Sequence, residues 1–257
     1  MSGIYFLSEN YNDVADLSIT TGTENAQFPL SNLQNDATVY KFRSTGNTVV
    51  IEMDLLQTRD LDTFSITGDA SGTFDLTSVV IKTSVTTDFS SSTPVPCPIS
   101  AEYNIGYVFF TEVSHRFVEI TVTGNGSYSE LSNIFIGKAI NLPYNSLSTN
   151  SFRYRYKDQS NVKRNRNGQK FIDERFQVKN IVGTIEFVNT TELDTLDSIY
   201  NWHGRNKPLW VIIDPDGTAF IDSEYKLAMY CYFNELPGFR SVGARHYNSS
   251  LDLGQVV

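Results

Sequence analysis

The chain has 257 residues, enough for one large domain or two ordinary ones that each bury a core. Thr, Ser, Asn, Val, Ile, Tyr and Phe are abundant while Ala, Lys, Glu and Met are sparse, a composition that favours strands over helices. The net charge of −9 is unevenly spread, with −10 on residues 1–140 and +1 on residues 141–257, which disfavours nucleic acid as a general partner because that role needs a basic surface.

The Met1-Ser-Gly-Ile-Tyr start lacks a basic segment leading into an apolar stretch, and no run of about 18 apolar residues occurs. The expectation is a soluble protein without membrane insertion, made and folded in a cytoplasm. Short alternating or apolar runs at 48–55, 63–68, 78–84, 107–110, 116–123 and 132–137 predict strands. Turn clusters at Gly68-Asp, 90–98 and Gly124-Asn-Gly separate them. Such spacing predicts a β-sandwich or jelly roll rather than a parallel α/β sheet. The polar stretch 141–150 is strandless and predicts a boundary, giving a first domain over 1–140 and a second over 141–257.

The second domain opens on Phe152-Arg-Tyr-Arg-Tyr-Lys, apolar and basic in strict alternation, and strands resume at 169–178 and 183–188. Asn167-Gly168 between them is a favoured hairpin turn, because both residues accept positive φ. A long hairpin with a basic tip is expected. A helix is predicted over 191–203, with Thr191 as its cap, Glu192 and Asp194 in its first turn, and Gly204 as its stop. Its apolar stripe reads Leu193, Leu196, Ile199, Tyr200 and Trp202. Strands return at 209–214, 226–233 and 246–253.

Catalytic patterns are missing from the sequence. His115, His203 and His246 stand apart with no metal-ligand spacing, and there is no nucleophile elbow or phosphate loop. Cys97 and Cys231 lie in different predicted domains and read as buried or half-buried free thiols. Asp214-Pro-Asp-Gly reads as a β-turn rather than as a pair of catalytic carboxylates, and Asp60-Leu-Asp gives a second carboxylate pair no stronger support. The expectation is a protein that is not an enzyme and requires no cofactor. Arg153, Arg155, Lys163, Arg164, Arg166 and Lys170 form a basic run that predicts a subunit interface, meeting the acidic first half of another copy.

From Ala26 to Gly137 the motif order is Asn35-Asp-Ala-Thr, Lys41-Phe-Arg-Ser, Val49-Val-Ile-Glu-Met-Asp-Leu and Leu61-Asp-Thr-Phe-Ser-Ile-Thr. It continues with Ile81-Lys-Thr-Ser, Asp88-Phe-Ser, His115-Arg-Phe-Val-Glu-Ile-Thr-Val and Leu131-Ser-Asn-Ile-Phe-Ile-Gly. This order resembles the discoidin-like, galactose-binding-type jelly roll of coagulation-factor discoidin modules and many carbohydrate-binding modules. The resemblance implies a structural calcium on Asp36 and Glu130, although a tryptophan common in the family is Phe42 here and a usual glycine is Ala37. The second half, with its hairpin, single helix, Gly204-Arg-Asn-Lys-Pro-Leu-Trp-Val-Ile-Ile-Asp and Tyr247-Asn-Ser-Ser-Leu-Asp-Leu, resembles the β-sandwich or barrel of phage tail-tube and distal-tail proteins.

Together the two resemblances imply a mainly β structural protein of a phage tail tip or baseplate. It would assemble as a homo-oligomeric ring with other tail proteins in the virion. The alternative is a carbohydrate-binding module that attaches a virion or enzyme complex to host-surface glycan, with Tyr11, Tyr40 and Tyr103 as candidate exposed aromatics.

Overall fold

The computed structural model describes residues 3–68, 76–143, 153–164, 166–167, 169–173, 177–213, 215, 227–235, 237–243 and 245–256. The strands of the first part are β1 Gly3–Leu7, β2 Asp16–Thr21, β3 Phe42–Arg43, β4 Thr48–Thr67, β5 Leu76–Ser84, β6 Val95–Pro96, β7 Ile99–Ser100, β8 Ile105–Gly124, β9 Glu130–Leu131, β10 Asn133–Gly137 and β11 Ile140–Pro143. Then follow β12 Arg153–Asp158, β13 Asn161–Arg164, β14 Lys170–Asp173, β15 Gln177–Val188, helix α1 Thr190–His203, β16 Leu209–Ile213, β17 Ala228–Phe233, β18 Phe239–Gly243 and β19 His246–Gln255. The fold is mainly β, as the composition predicts, with antiparallel sheets and one α-helix among the described residues.

A seven-stranded sheet in the order β10-β4-β8-β5-β6, with β2 on β4 and β7 on β8, builds the first unit. The predicted strands at 48–55 and 63–68 are the two ends of β4, and those at 107–110 and 116–123 are the two ends of β8. A register shift between Asp54 and Arg59 bends β4 at Leu56, whose φ is +64° and whose amide donates to Asp54 Oδ1 at 2.8 Å. Such a bulge lets one strand turn the corner of a sandwich. The core follows the period of two: Val49, Ile51 and Met53 face Val122, Ile120 and Val118 across the ladder, all fully buried.

The second sheet has eight strands, in the order β11-β1-β16-β17-β19-β15-β12 with β18 on β19. This sheet draws strands from both sides of the predicted boundary at 140. The first strand of the chain is built into the sheet of the second unit, where Phe6 pairs with Val211 and with Ile140. Strand pairing across more than 200 residues leaves no local trace in the sequence.

Both faces of the sheet's strands β1, β16 and β17 are covered. Ile4, Phe6, Leu209, Val211, Ile213, Met229, Cys231 and Phe233 point into a core shared with Leu196, Ile199 and Tyr200 of α1. The alternate residues Tyr5, Leu7, Trp210, Ile212, Ala228 and Tyr230 point the other way, onto Ile105, Tyr107 and Phe135 of the first unit. Trp210 Nε1 donates to Asn133 Oδ1 at 3.2 Å across this junction, with both residues buried. The thiols of Cys97 and Cys231 are free and buried, and burial pushes both well above the ordinary range.

The helix starts one residue earlier than predicted, and Asn189 rather than Thr191 caps it. Asn189 Oδ1 accepts from the Glu192 amide at 3.0 Å, and Glu192 Oε2 accepts from the Asn189 amide at 2.9 Å. This reciprocal box contributes about 1 kcal/mol to the helix. Gly204 stops it as predicted, with φ at +54° and its amide on the Tyr200 carbonyl.

The predicted hairpin is present in two pieces. β12 pairs along its whole length with β15, whereas β13 and β14 form a separate two-stranded sheet with Arg166 and Asn167 at its turn. Phe152, Gly168 and Asp214, and with Asp214 the predicted Asp-Pro-Asp-Gly turn, lie outside the described residues.

Candidate functional site

Where α1 meets the first unit, the chain leaves β1 through Ser8, Glu9 and Asn10 and enters a short 3-10 turn, Tyr11–Val14. Asn10 fixes this loop. Its side-chain amide donates to the Ile134 carbonyl at 2.9 Å, and its Oδ1 accepts from the amides of Ile136 and Asn12, each at 3.2 Å. Close approach is possible because residue 137 is glycine: a Cβ there would lie 2.6 Å from the Glu9 carbonyl oxygen. From the helix side, Ser8 Oγ meets His203 Nε2 at 2.9 Å, and His203 Nδ1 meets the Lys207 carbonyl at 3.3 Å. Burial holds the His203 pKa below its ordinary value, so the ring stays neutral at pH 7 and clasps loop to helix. Among the described residues Nδ1 meets this backbone carbonyl rather than the carboxylate that a nucleophilic serine site would use.

These elements enclose a cleft of about 770 Å³ lined by Ser8, Glu9, Tyr11, Lys138, Thr195, Ser198 and Trp202 with Ile140 and Ile199. Trp202 is 61% exposed, and Lys207 Nζ lies 4.5 Å from its ring centroid. The Thr195 and Ser198 hydroxyls donate back to the carbonyls of Thr191 and Asp194, which leaves their oxygens free to accept. Tyr11 is 9% exposed, with the Arg59 guanidinium 4.7 Å from its centroid. The arrangement offers an aromatic platform, hydroxyl acceptors, one carboxylate and one ammonium.

Sequence reasoning placed Trp202 in the buried stripe, and the structure corrects this. At 100° per residue, Leu193, Leu196, Ile199, Tyr200 and His203 share one face of the helix, and Trp202 sits about 120° from its centre. Of the other aromatics singled out, Tyr11 is buried and Tyr103 is half-buried between the units, while Tyr40 is exposed on a loop away from the cleft.

The residues expected to hold calcium do not fit that role. Both Glu130 oxygens are spent on cations, Oε1 on Lys41 Nζ at 2.8 Å and Oε2 on Arg43 Nε at 2.7 Å. A divalent ion there would face two positive charges. Asp36 is exposed, and its charge is felt at Asp13 and at Tyr230, where it adds to the upward shift from burial. No group of three or more His, Cys, Asp or Glu side chains among the described residues could hold a metal. Melting curves of wild type with calcium and with chelator are therefore expected to coincide. Glu130→Ala should melt lower in both, since it strands two half-buried cations; a calcium-dependent shift lost in that variant would overturn this view.

Of the predicted interface residues, Arg153 and Arg155 are exposed on β12, Lys163 and Lys170 on the separate hairpin, and Arg166 at its turn. The Arg164 side chain is outside the described residues. Arg155 lines a second cleft, of about 900 Å³, with Lys157, Arg205, Glu235 and Asp252, and none of these residues reaches the Trp202 cleft. A third, of about 720 Å³, runs beside β5 and β8, where His115 Nδ1 meets Thr83 Oγ1 at 2.8 Å among serines and threonines but without an exposed aromatic ring.

No family model and no curated protein matches the chain. Among solved structures it is similar to a fucose-binding module from Streptococcus pneumoniae, at 14% identity over 51% of this chain and 98% of the module, with a TM-score of 0.43. It is also similar to the lectin domain of lectinolysin in complex with Lewis B antigen, at 10% identity over 52% of this chain and 99% of that domain, with a TM-score of 0.44. A family 32 carbohydrate-binding module from Clostridium perfringens in complex with galactose gives 14% identity, coverages of 52% and 98%, and a TM-score of 0.41.

Proposed function

We propose that this chain is a non-catalytic glycan-binding protein whose ligand seats in the Trp202 cleft. The observation that supports it most is the exposed indole of Trp202 in one cleft with Ser8, Glu9, Thr195 and Ser198. A sugar ring has one face of C–H groups that stacks on an aromatic quadrupole, and a rim of hydroxyls that needs both donors and acceptors. Trp202 supplies the first, and Glu9, Lys138 and the helix hydroxyls supply the second. A glycan array that includes fucosylated and galactosylated oligosaccharides tests this directly. Wild type should bind a subset of them, and Trp202→Ala should weaken that binding roughly tenfold or more while keeping its melting temperature. Silence of wild type across the array at millimolar glycan would remove the proposal.

A second reading, as a structural subunit of a larger assembly such as a phage tail tip, is favoured by one separate feature. All six residues of β12 are exposed on an edge strand, and the β13–β14 hairpin is a sheet of its own. Open edges invite pairing, and isolated hairpins are marginal in water. Arg153, Lys163, Arg166 and Lys170 would then meet the acidic first unit of a neighbour. Sedimentation should show oligomers that weaken in Lys163→Glu/Arg166→Glu/Lys170→Glu and in high salt; equal assembly at every ionic strength would discount the electrostatic interface. The two readings are compatible in an assembled adaptor that carries a glycan site.

A further inference from the structure

A row of cross-strand partners runs over the second sheet, from Arg155 on β12 to Asn180 on β15, Gly254 on β19 and Tyr232 on β17. Residues directly opposite one another in neighbouring strands put their side chains on one face, about 5 Å apart. The row lines the cleft of about 900 Å³ that also holds Lys157 and Arg205. Asn180 is only 7% exposed, yet among the described residues its side-chain amide makes no hydrogen bond. A nearly buried amide in that state is costly unless something in the cleft completes it. Arg155, Lys157 and Arg205 have no ion pair among the described residues either. The two carboxylates of the wall are engaged elsewhere or open to solvent: Asp252 Oδ1 accepts from Asn234 Nδ2 at 2.8 Å, and Glu235 is exposed.

We infer that this cleft binds an acidic oligosaccharide, its ring carboxylates accepting from Arg155, Lys157 and Arg205 and its hydroxyls pairing with Asn180. The site is separate from the Trp202 cleft and does not rest on it. Cations without counterions are charge-assisted donors to carboxylates. Side-chain amides donate and accept at once, as neighbouring sugar hydroxyls require, and Gln159, Asn234 and Gln255 add three more to the wall. Tyr156, 54% exposed, offers a ring to the C–H face of a sugar. Among the lining residues Val178 is the one aliphatic side chain, so an acidic peptide would find no apolar pockets to anchor it. Three lining cations against two carboxylates leave one net positive charge. That suits a glycan with a few carboxylates and is too little for a polyphosphate or nucleic-acid backbone. The volume is near the upper end of the roughly 300–1,000 Å³ of ligand clefts, which gives room for more than one sugar ring.

The full chain is titrated by calorimetry, at fixed ionic strength, with tetrasaccharides of galacturonate, mannuronate and hyaluronan. Their carboxyl-reduced counterparts and a hexaglutamate peptide are run in parallel. At least one acidic tetrasaccharide should bind saturably, and its reduced counterpart and the peptide should bind roughly tenfold more weakly or not at all. Arg155→Gln/Lys157→Gln should weaken binding roughly tenfold or more, and Asn180→Leu, which keeps the volume, should weaken it several-fold with the cations intact. The charge-matched Arg240→Gln/Arg245→Gln, at exposed positions outside the cleft, should bind as wild type does. If Asn180→Leu fails to fold, the exposed Arg155 and Lys157 pair decides. The inference is overturned if no acidic tetrasaccharide binds saturably at millimolar concentration, or if a reduced counterpart or the peptide binds equally well. It is also overturned if the charge-matched variant loses as much affinity as the cleft variant.

Discussion

Trp210→Ala is expected to destabilise the chain by about 3–5 kcal/mol and to uncouple its two units. Trp210 is 1% exposed and stands at the centre of the junction, with Tyr230 at 5.5 Å between ring centroids. Removing the indole opens a cavity there and also strands Asn133, itself buried, whose Oδ1 then lacks its donor. Since β1 of the first segment pairs within the second sheet, wild type should unfold in one cooperative transition. The variant should melt earlier and show two. Calorimetry checks this, and an unchanged single transition would mean that the junction contributes little.

The second large effect is set by pH. Burial pushes the Lys179 pKa down from the ordinary lysine range to about 8. In the unfolded chain the same amine titrates near 10.5, so between these values the unfolded state holds the extra proton and stability rises with pH. Below pH 8 the full penalty of the buried charge is present, about 3 kcal/mol by the size of the shift. Above about pH 10 the gain reverses, because burial raises Tyr200 to about 12 and Tyr230 further still, and the folded state then holds protons that the unfolded state releases. Lys179→Met should therefore be more stable than wild type at pH 7, with the difference shrinking between pH 8 and 10. Urea denaturation measures this. A variant less stable than wild type at pH 7 would show that the ammonium is satisfied in the folded state.

How far the sequence reveals these features depends on whether they are local. The run Leu209–Ile213 announces a strand, and the structure shows why it lacks alternation: odd positions face the helix-covered core and even positions face the first unit. Periodicity could not show what covers the second face, nor that Gly3–Leu7 would lie beside this strand. For the candidate site, the helical phase of Trp202 was already in the sequence and marks it as exposed. Glu9 and Ser8 carry no comparable signal, because they join Trp202 only through the fold. Lys179 is in phase with the buried Ile181 and Ile185 and so was detectable as a cation on an inward face. The calcium expectation transferred a carboxylate without its neighbours, and Lys41 and Arg43 are what make Glu130 an ion-pair partner here.

The most direct test of the glycan-binding account uses the fact that the chain has only two tryptophans. Trp210 is sealed in the junction, whereas Trp202 is open to solvent, so binding at the cleft is read from one fluorophore. Titration with the glycan that binds best on the array should shift the emission to the blue, protect it from acrylamide quenching and saturate. The same titration of Trp202→Ala should leave the remaining Trp210 emission unchanged. Saturable glycan binding with no change in Trp202 emission or quenching would contradict the account and place the ligand elsewhere on the molecule.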